Sequence, residues 1–103
     1  MDTSKLVLQA LLKLKELSQS ITTEAQYCEI KKKYNIMLLG DKFNNIYSSD
    51  VLKFIKIFSN EDLTMSDISS KIPDACKTLG MKYEAMQYLG NPNAPNNHLI
   101  SLY

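Results

Sequence analysis

Pro73-Asp74-Ala75-Cys76-Lys77-Thr78-Leu79-Gly80-Met81-Lys82-Tyr83-Glu84-Ala85-Met86-Gln87-Tyr88-Leu89 is the stretch on which the fold class turns. Read locally, it predicts two short helices, over residues 74–79 and 82–89, parted at Gly80. Gly80 supplies a tight turn, and Ala75 is small enough to let the helices approach. Leu79, Met81, Met86 and Leu89 would fill the angle between them.

Working upstream, residues 65–72 predict a third short helix that Thr64 or Ser66 can cap, with Pro73 as punctuation. Before it, Val51-Leu52-Lys53-Phe54-Ile55-Lys56-Ile57-Phe58 does not alternate strictly enough for a half-exposed strand. It reads as helix behind Ser48, Ser49 or Asp50, with a buried strand as the alternative. A short helix or turn is expected around Phe43, Ile46 and Tyr47. Another helix starts at Ser20, Thr22 or Thr23, carries Tyr27, Ile30, Tyr34, Met37 and Leu38 on one face, and ends with Gly40 as its C-cap.

The first helix, capped by Asp2, Thr3 or Ser4, has one polar stripe, Gln9, Lys13, Glu16 and Ser20. The rest is leucine-rich, which predicts cover on two sides. The second cover is either the same monomer or another copy, giving a homodimer through residues 6–17. Downstream, residues 91–97 are loop by their proline and asparagine content, and residues 98–103 could add a short terminal strand.

The expectation is an all-α fold: one domain over residues 1–103, a small multi-helix bundle. Residues 1–58 form a Leu-rich helical part, 59–90 a tri-helical part, and 91–103 a loop and tail.

Residues 73–89 resemble the helix-turn-helix of DNA-binding regulators, over roughly a sixth of the chain. The resemblance implies that the second helix enters the major groove, where Lys82, Tyr83, Glu84 and Gln87 would read base edges. In a dimer, Lys31, Lys32, Lys33 and Lys77 would add phosphate contacts. Charge weighs on the other side. The formal net charge is +1, but residues 1–58 hold 9 lysines against 6 acids and residues 59–103 hold 3 against 5. The half with the motif is therefore acidic, whereas duplex binding draws on neutralised phosphates. All 12 basic residues are lysine, so the arginine that usually reads guanine is absent.

At 103 residues, 45% hydrophobic and 22% charged, the chain lies well inside the globular range. Cys28 and Cys76 match no metal-binding spacing and are too few for a disulfide scaffold, so both are expected as small buried side chains. A reducing, cytoplasmic compartment follows, in a host cell if the protein is viral. The apolar run over residues 6–12 is too short and too broken to span a membrane. Small size and Lys-, Ile- and Asn-heavy usage fit a viral or phage origin.

Catalytic constellations are thin. His98 is the single histidine, near a proline-asparagine loop, and reads as a surface side chain. Glu61 and Asp62 are adjacent and point apart, the three glycines are isolated, and no His-Glu cluster suggests a metal. Neither an enzyme nor a cofactor is expected. Six tyrosines and five methionines suit adaptable contact surfaces. The leading expectation is a small non-enzymatic regulator, adaptor or inhibitor. It would bind an unknown protein partner through Met81, Tyr83, Glu84, Gln87 and Tyr88. The alternative is a dimeric helix-turn-helix DNA-binding regulator using Lys31, Lys32, Lys33, Lys77, Lys82 and Gln87.

Overall fold

A computed structural model describes residues 3–86 and 97–103 of the chain. In order these form α1 (Thr3–Ser20), α2 (Glu24–Tyr34), β1 (Asn45–Tyr47), α3 (Ser48–Ser59), α4 (Met65–Ser69), α5 (Ile72–Leu79), β2 (Lys82–Met86) and β3 (Asn97–Ser101). The all-α expectation is overturned. The strands form one antiparallel sheet in the order β1-β3-β2, and the helices pack against it.

The decisive difference falls at Gly80. α5 ends there as expected, with Gly80 at φ 71° and the Met81 N–H donating to the Cys76 carbonyl at 2.8 Å. Beyond it residues 82–86 are extended instead of helical, so the third helix of the expected tri-helical part does not form there. Lys82, Glu84, Ala85 and Met86 are good helix formers by intrinsic propensity. Pairing with β3 overrides that preference, from Lys82 opposite Ser101 to Met86 opposite Asn97. β3 supplies the strict period of two that β2 lacks: His98, Ile100 and Leu102 are buried, while Asn97, Leu99 and Ser101 are half-buried. The terminal strand expected over residues 98–103 is thus present, and it lies in the middle of the sheet.

Of the short helix or turn expected around Phe43, Ile46 and Tyr47, the turn is present over residues 40–43, and Ile46 and Tyr47 lie instead in β1. There Ile46 pairs with Ile100 and Tyr47 with Leu99. Gly40 does not cap α2. That helix stops at Tyr34, with Asn35 in the left-handed region at φ 53°, and Gly40, at φ 86°, opens the turn that leads into β1. Leu39 and Asn45 close this turn by exchanging backbone hydrogen bonds of 2.7 and 3.1 Å.

Other local signals read as the sequence suggests. Thr23 caps α2 in a reciprocal box with Gln26, and Thr64 caps α4 in the same way with Asp67. Residues 51–58 are helical within α3. Pro73, expected between two helices, instead lies within the second: α4 ends at Ser69, Ile72 opens α5, and Pro73 sits in its first turn, where the N–H it lacks has no helical partner to lose.

The core is shared by both layers. Leu6, Val7, Ala10, Leu11 and Leu14 of α1 are buried, together with Val51, Phe54 and Ile55 of α3, Ile72 and Cys76 of α5, and Ile46 and Ile100 of the sheet. α1 packs on α3, α4 and α5, while α3 leans on β1 and β3 and α5 on β2. Most leucines of α1 are therefore covered within the monomer, and Leu12, 46% exposed, is the exception.

Candidate protein-binding surface

Residues paired across an antiparallel sheet share a face. One face carries Ile46, Ile100 and Tyr83 in one row, with His98 and Ala85 in the next, and it turns toward the helices. The opposite face carries the rows Asn45-Ser101-Lys82 and Tyr47-Leu99-Glu84. On this open face Lys82 and Glu84 are exposed, and Asn45, Tyr47, Leu99 and Ser101 are half-buried. β2 is an edge strand: among the described residues it pairs with β3 alone. A hollow of about 300 Å³, lined by Gly80, Lys82, Ser101 and Tyr103, opens at one end of this face. Tyr103 is 44% exposed there, and its hydroxyl donates to the Lys42 carbonyl at 3.2 Å.

Tyr83, Glu84 and Lys82 thus fall on β2, but not as a helix would present them. Met81, expected as a contact residue, is buried in the core. Tyr83 is half-buried on the helix-facing side, its ring edge-on to His98 at 6.1 Å. Glu84 and Lys82 are the exposed members. Gln87 and Tyr88 lie outside the described residues, as do residues 91–96 of the loop expected over 91–97; Asn97 itself begins β3.

The lysines do not converge. Lys31, Lys32 and Lys33 occupy the exposed last turn of α2, where positive charge complements the helix dipole. Lys33 also lies 5.3 Å from the Tyr34 ring. Lys77 and Lys82 are exposed in α5 and β2, which pack on each other, whereas α2 packs on α3. With residues 82–86 in a strand, the described residues after Gly80 supply no second helix to enter a major groove, and the helix-turn-helix assignment of residues 73–89 fails on that ground.

Two single side chains, Cys28 and His98, lie opposite to expectation. Cys28 is exposed on α2, a helix without a buried residue; Cys76 is buried, which pushes its thiol up to about 11. His98 is not a surface side chain. It is 3% exposed, burial holds its imidazole below the ordinary value, and its Nδ1 has no hydrogen-bond partner. Its backbone N–H donates to Ser48 Oγ at 2.8 Å. That hydroxyl donates in turn to Asn97 Oδ1 at 2.7 Å, and the same oxygen accepts from the Ser49 N–H at 3.2 Å. Asn97 therefore caps α3 from across the chain and pins β3 to the start of that helix. The available signal was the spacing of His98 from Ile100 and Leu102, two residues at a time.

Among the described residues, no group of three or more His, Cys, Asp or Glu side chains comes together to hold a metal. None of the described helices is long and apolar enough to cross a membrane. No protein-family model, no curated protein and no solved structure matches this chain.

Proposed function

We propose that the chain is a small non-enzymatic regulator or adaptor that binds another protein along β2, with the open face of the sheet as its contact surface. The observation that carries this reading is the combination of an edge strand with a hollow beside it that Lys82 and Tyr103 line. An extended segment can add to such an edge through main-chain hydrogen bonds, while side chains on alternate positions give selectivity. Lys82 favours an acidic side chain in the hollow, and Leu99 and Tyr47, half-buried on the same face, offer apolar contact further along. The partner is thus an extended acidic segment with apolar residues at alternate positions. We place the protein in the cytoplasm, where a reducing medium keeps exposed Cys28 as a thiol.

Selection from a library of displayed extended peptides tests this. Selected peptides should carry an acid within an alternating apolar pattern, and Lys82→Glu should lower their affinity at least about tenfold, the scale of reversing one favourable contact. Peptides that bind Lys82→Glu as well as the natural chain would remove β2 as the contact strand.

A further inference from the structure

A second surface lies where α1 meets the end of α3. Gln9, Leu12, Lys13 and Glu16 of α1 and Phe58 of α3 line a groove of about 350 Å³. Gln9, Lys13 and Glu16 are exposed, Leu12 is 46% exposed, and Phe58 is half-buried. The remaining leucines over residues 6–17 are taken up by the monomer's own core or packed against it, so the broad leucine-rich interface expected from sequence is not available. What remains is narrow, and it has an unusual property: its charges complement themselves.

We infer that this groove is the contact between two copies of the chain, formed by antiparallel crossing of their α1 helices. An isologous interface must be self-complementary, with each residue i meeting j as j meets i. Place a two-fold axis midway between Lys13 and Glu16. Each Lys13 then lies opposite Glu16 of the second copy, giving two opposed pairs, and each Gln9 lies opposite Ser20, which is also exposed. Such an axis keeps each flank of the helix facing its own counterpart. Leu12 and Phe58 of one copy therefore meet Leu12 and Phe58 of the other. The two Leu12 positions are about 7.5 Å apart along the helix direction, five residues at about 1.5 Å each, which their side chains and the phenylalanine rings span. A partner bearing one sign of charge would meet one repulsive contact here, whereas a second copy meets none. The surface is separate from the β2 edge, and the inference does not depend on what β2 binds.

A seam one helix wide buries less than the ~1,200 Å² of a stable interface, so sedimentation equilibrium is read from about 10 μM to about 2 mM. The natural chain should pass from monomer to dimer within that range. Lys13→Glu and Glu16→Lys should each weaken self-association by about tenfold or more, because each turns both opposed pairs into like-charge pairs. Mixed in equal amounts, the two variants should form a heterodimer, in which every opposed pair is again attractive. Adding Leu12→Ser to one of them should weaken that heterodimer, which separates docking at this groove from general attraction between oppositely altered proteins. Both substituted charges are exposed, so far-ultraviolet circular dichroism should be unchanged in every variant. A natural chain that stays monomeric at the highest concentration, or variants that self-associate as the natural chain does, or a mixture that fails to pair, would each overturn the inference.

Discussion

Ser48→Ala should cost the fold about 2 kcal/mol, because one hydroxyl holds two segments that are far apart in sequence. Ser48 is fully buried at the start of α3; its Oγ accepts from the His98 N–H at 2.8 Å and donates to Asn97 Oδ1 at 2.7 Å. Alanine leaves the buried His98 N–H without its acceptor, a penalty of about 1–3 kcal/mol by itself. The second loss is smaller, since Asn97 Oδ1 still accepts from the Ser49 N–H. Ser20→Ala is the control: its exposed hydroxyl donates to the Leu17 carbonyl within the same helix end, and its loss should cost under about 0.5 kcal/mol. Urea unfolding followed by circular dichroism measures both. With a slope of about 1.5 kcal/mol per molar, Ser48→Ala should lower the midpoint by roughly 1.3 M at unchanged slope. A midpoint shift no larger than that of Ser20→Ala would refute the role given to the Ser48 bridge.

Acid should weaken the fold through His98. Its folded-state affinity for protons is depressed below the ordinary 6.5, so the unfolded chain binds the extra proton first, and stability falls as pH drops through 6.5 toward the folded value. Urea midpoints between pH 7.5 and pH 5 should show that loss in the natural chain and less of it in His98→Leu; parallel curves would remove His98 as its source. The two turn glycines should separate on replacement by alanine. Gly80→Ala should cost about 1 kcal/mol, from left-handed backbone alone, since nothing lies within 4 Å of the added carbon. Gly40→Ala should cost more, because the new carbon would sit 2.8 Å from Asn45 Nδ2, and that amide cannot swing aside without disturbing the bond its Oδ1 accepts from Ser101 Oγ at 3.0 Å; equal midpoints in urea would contradict the difference. A thiol reagent at neutral pH should modify Cys28 in the native protein and reach Cys76 only on unfolding, since Cys76 is buried with its thiol raised to about 11. Two equivalents reacting at one rate under native conditions would contradict that.

Signals carried by a few neighbouring residues were legible in the sequence. The Thr23 and Thr64 caps, the helical character of residues 51–58, the break at Gly80 and the polar stripe of Gln9, Lys13 and Glu16 all depend on local chemistry, and the structure places them where that chemistry requires; the cap expected from Ser48, Ser49 or Asp50 does not form, since Tyr47 holds the N-cap position. β2 was not legible, because in Lys82-Tyr83-Glu84-Ala85-Met86 Tyr83 alone favours a strand and the helix formers around it outweigh it until β3 is beside it. Asn97 shows the same limit from the other side. It looks like part of an asparagine-rich loop, yet it begins a strand and caps a helix nearly fifty residues earlier in the chain. Non-local pairing also explains His98, whose burial follows from its position in the central strand. Of the residues expected to contact a protein partner, Glu84 is exposed and Tyr83 half-buried, while Met81 went to the core because α5 turns back at Gly80 and carries it inward.

The most direct test of β2 as a docking edge is amide hydrogen exchange of the chain, with and without a saturating library-selected peptide. Exchange over residues 82–86 should slow as their outward amides acquire partners, with α2 unchanged. Slowing confined to α2, or unaltered exchange over residues 82–86 in the bound state, would contradict it.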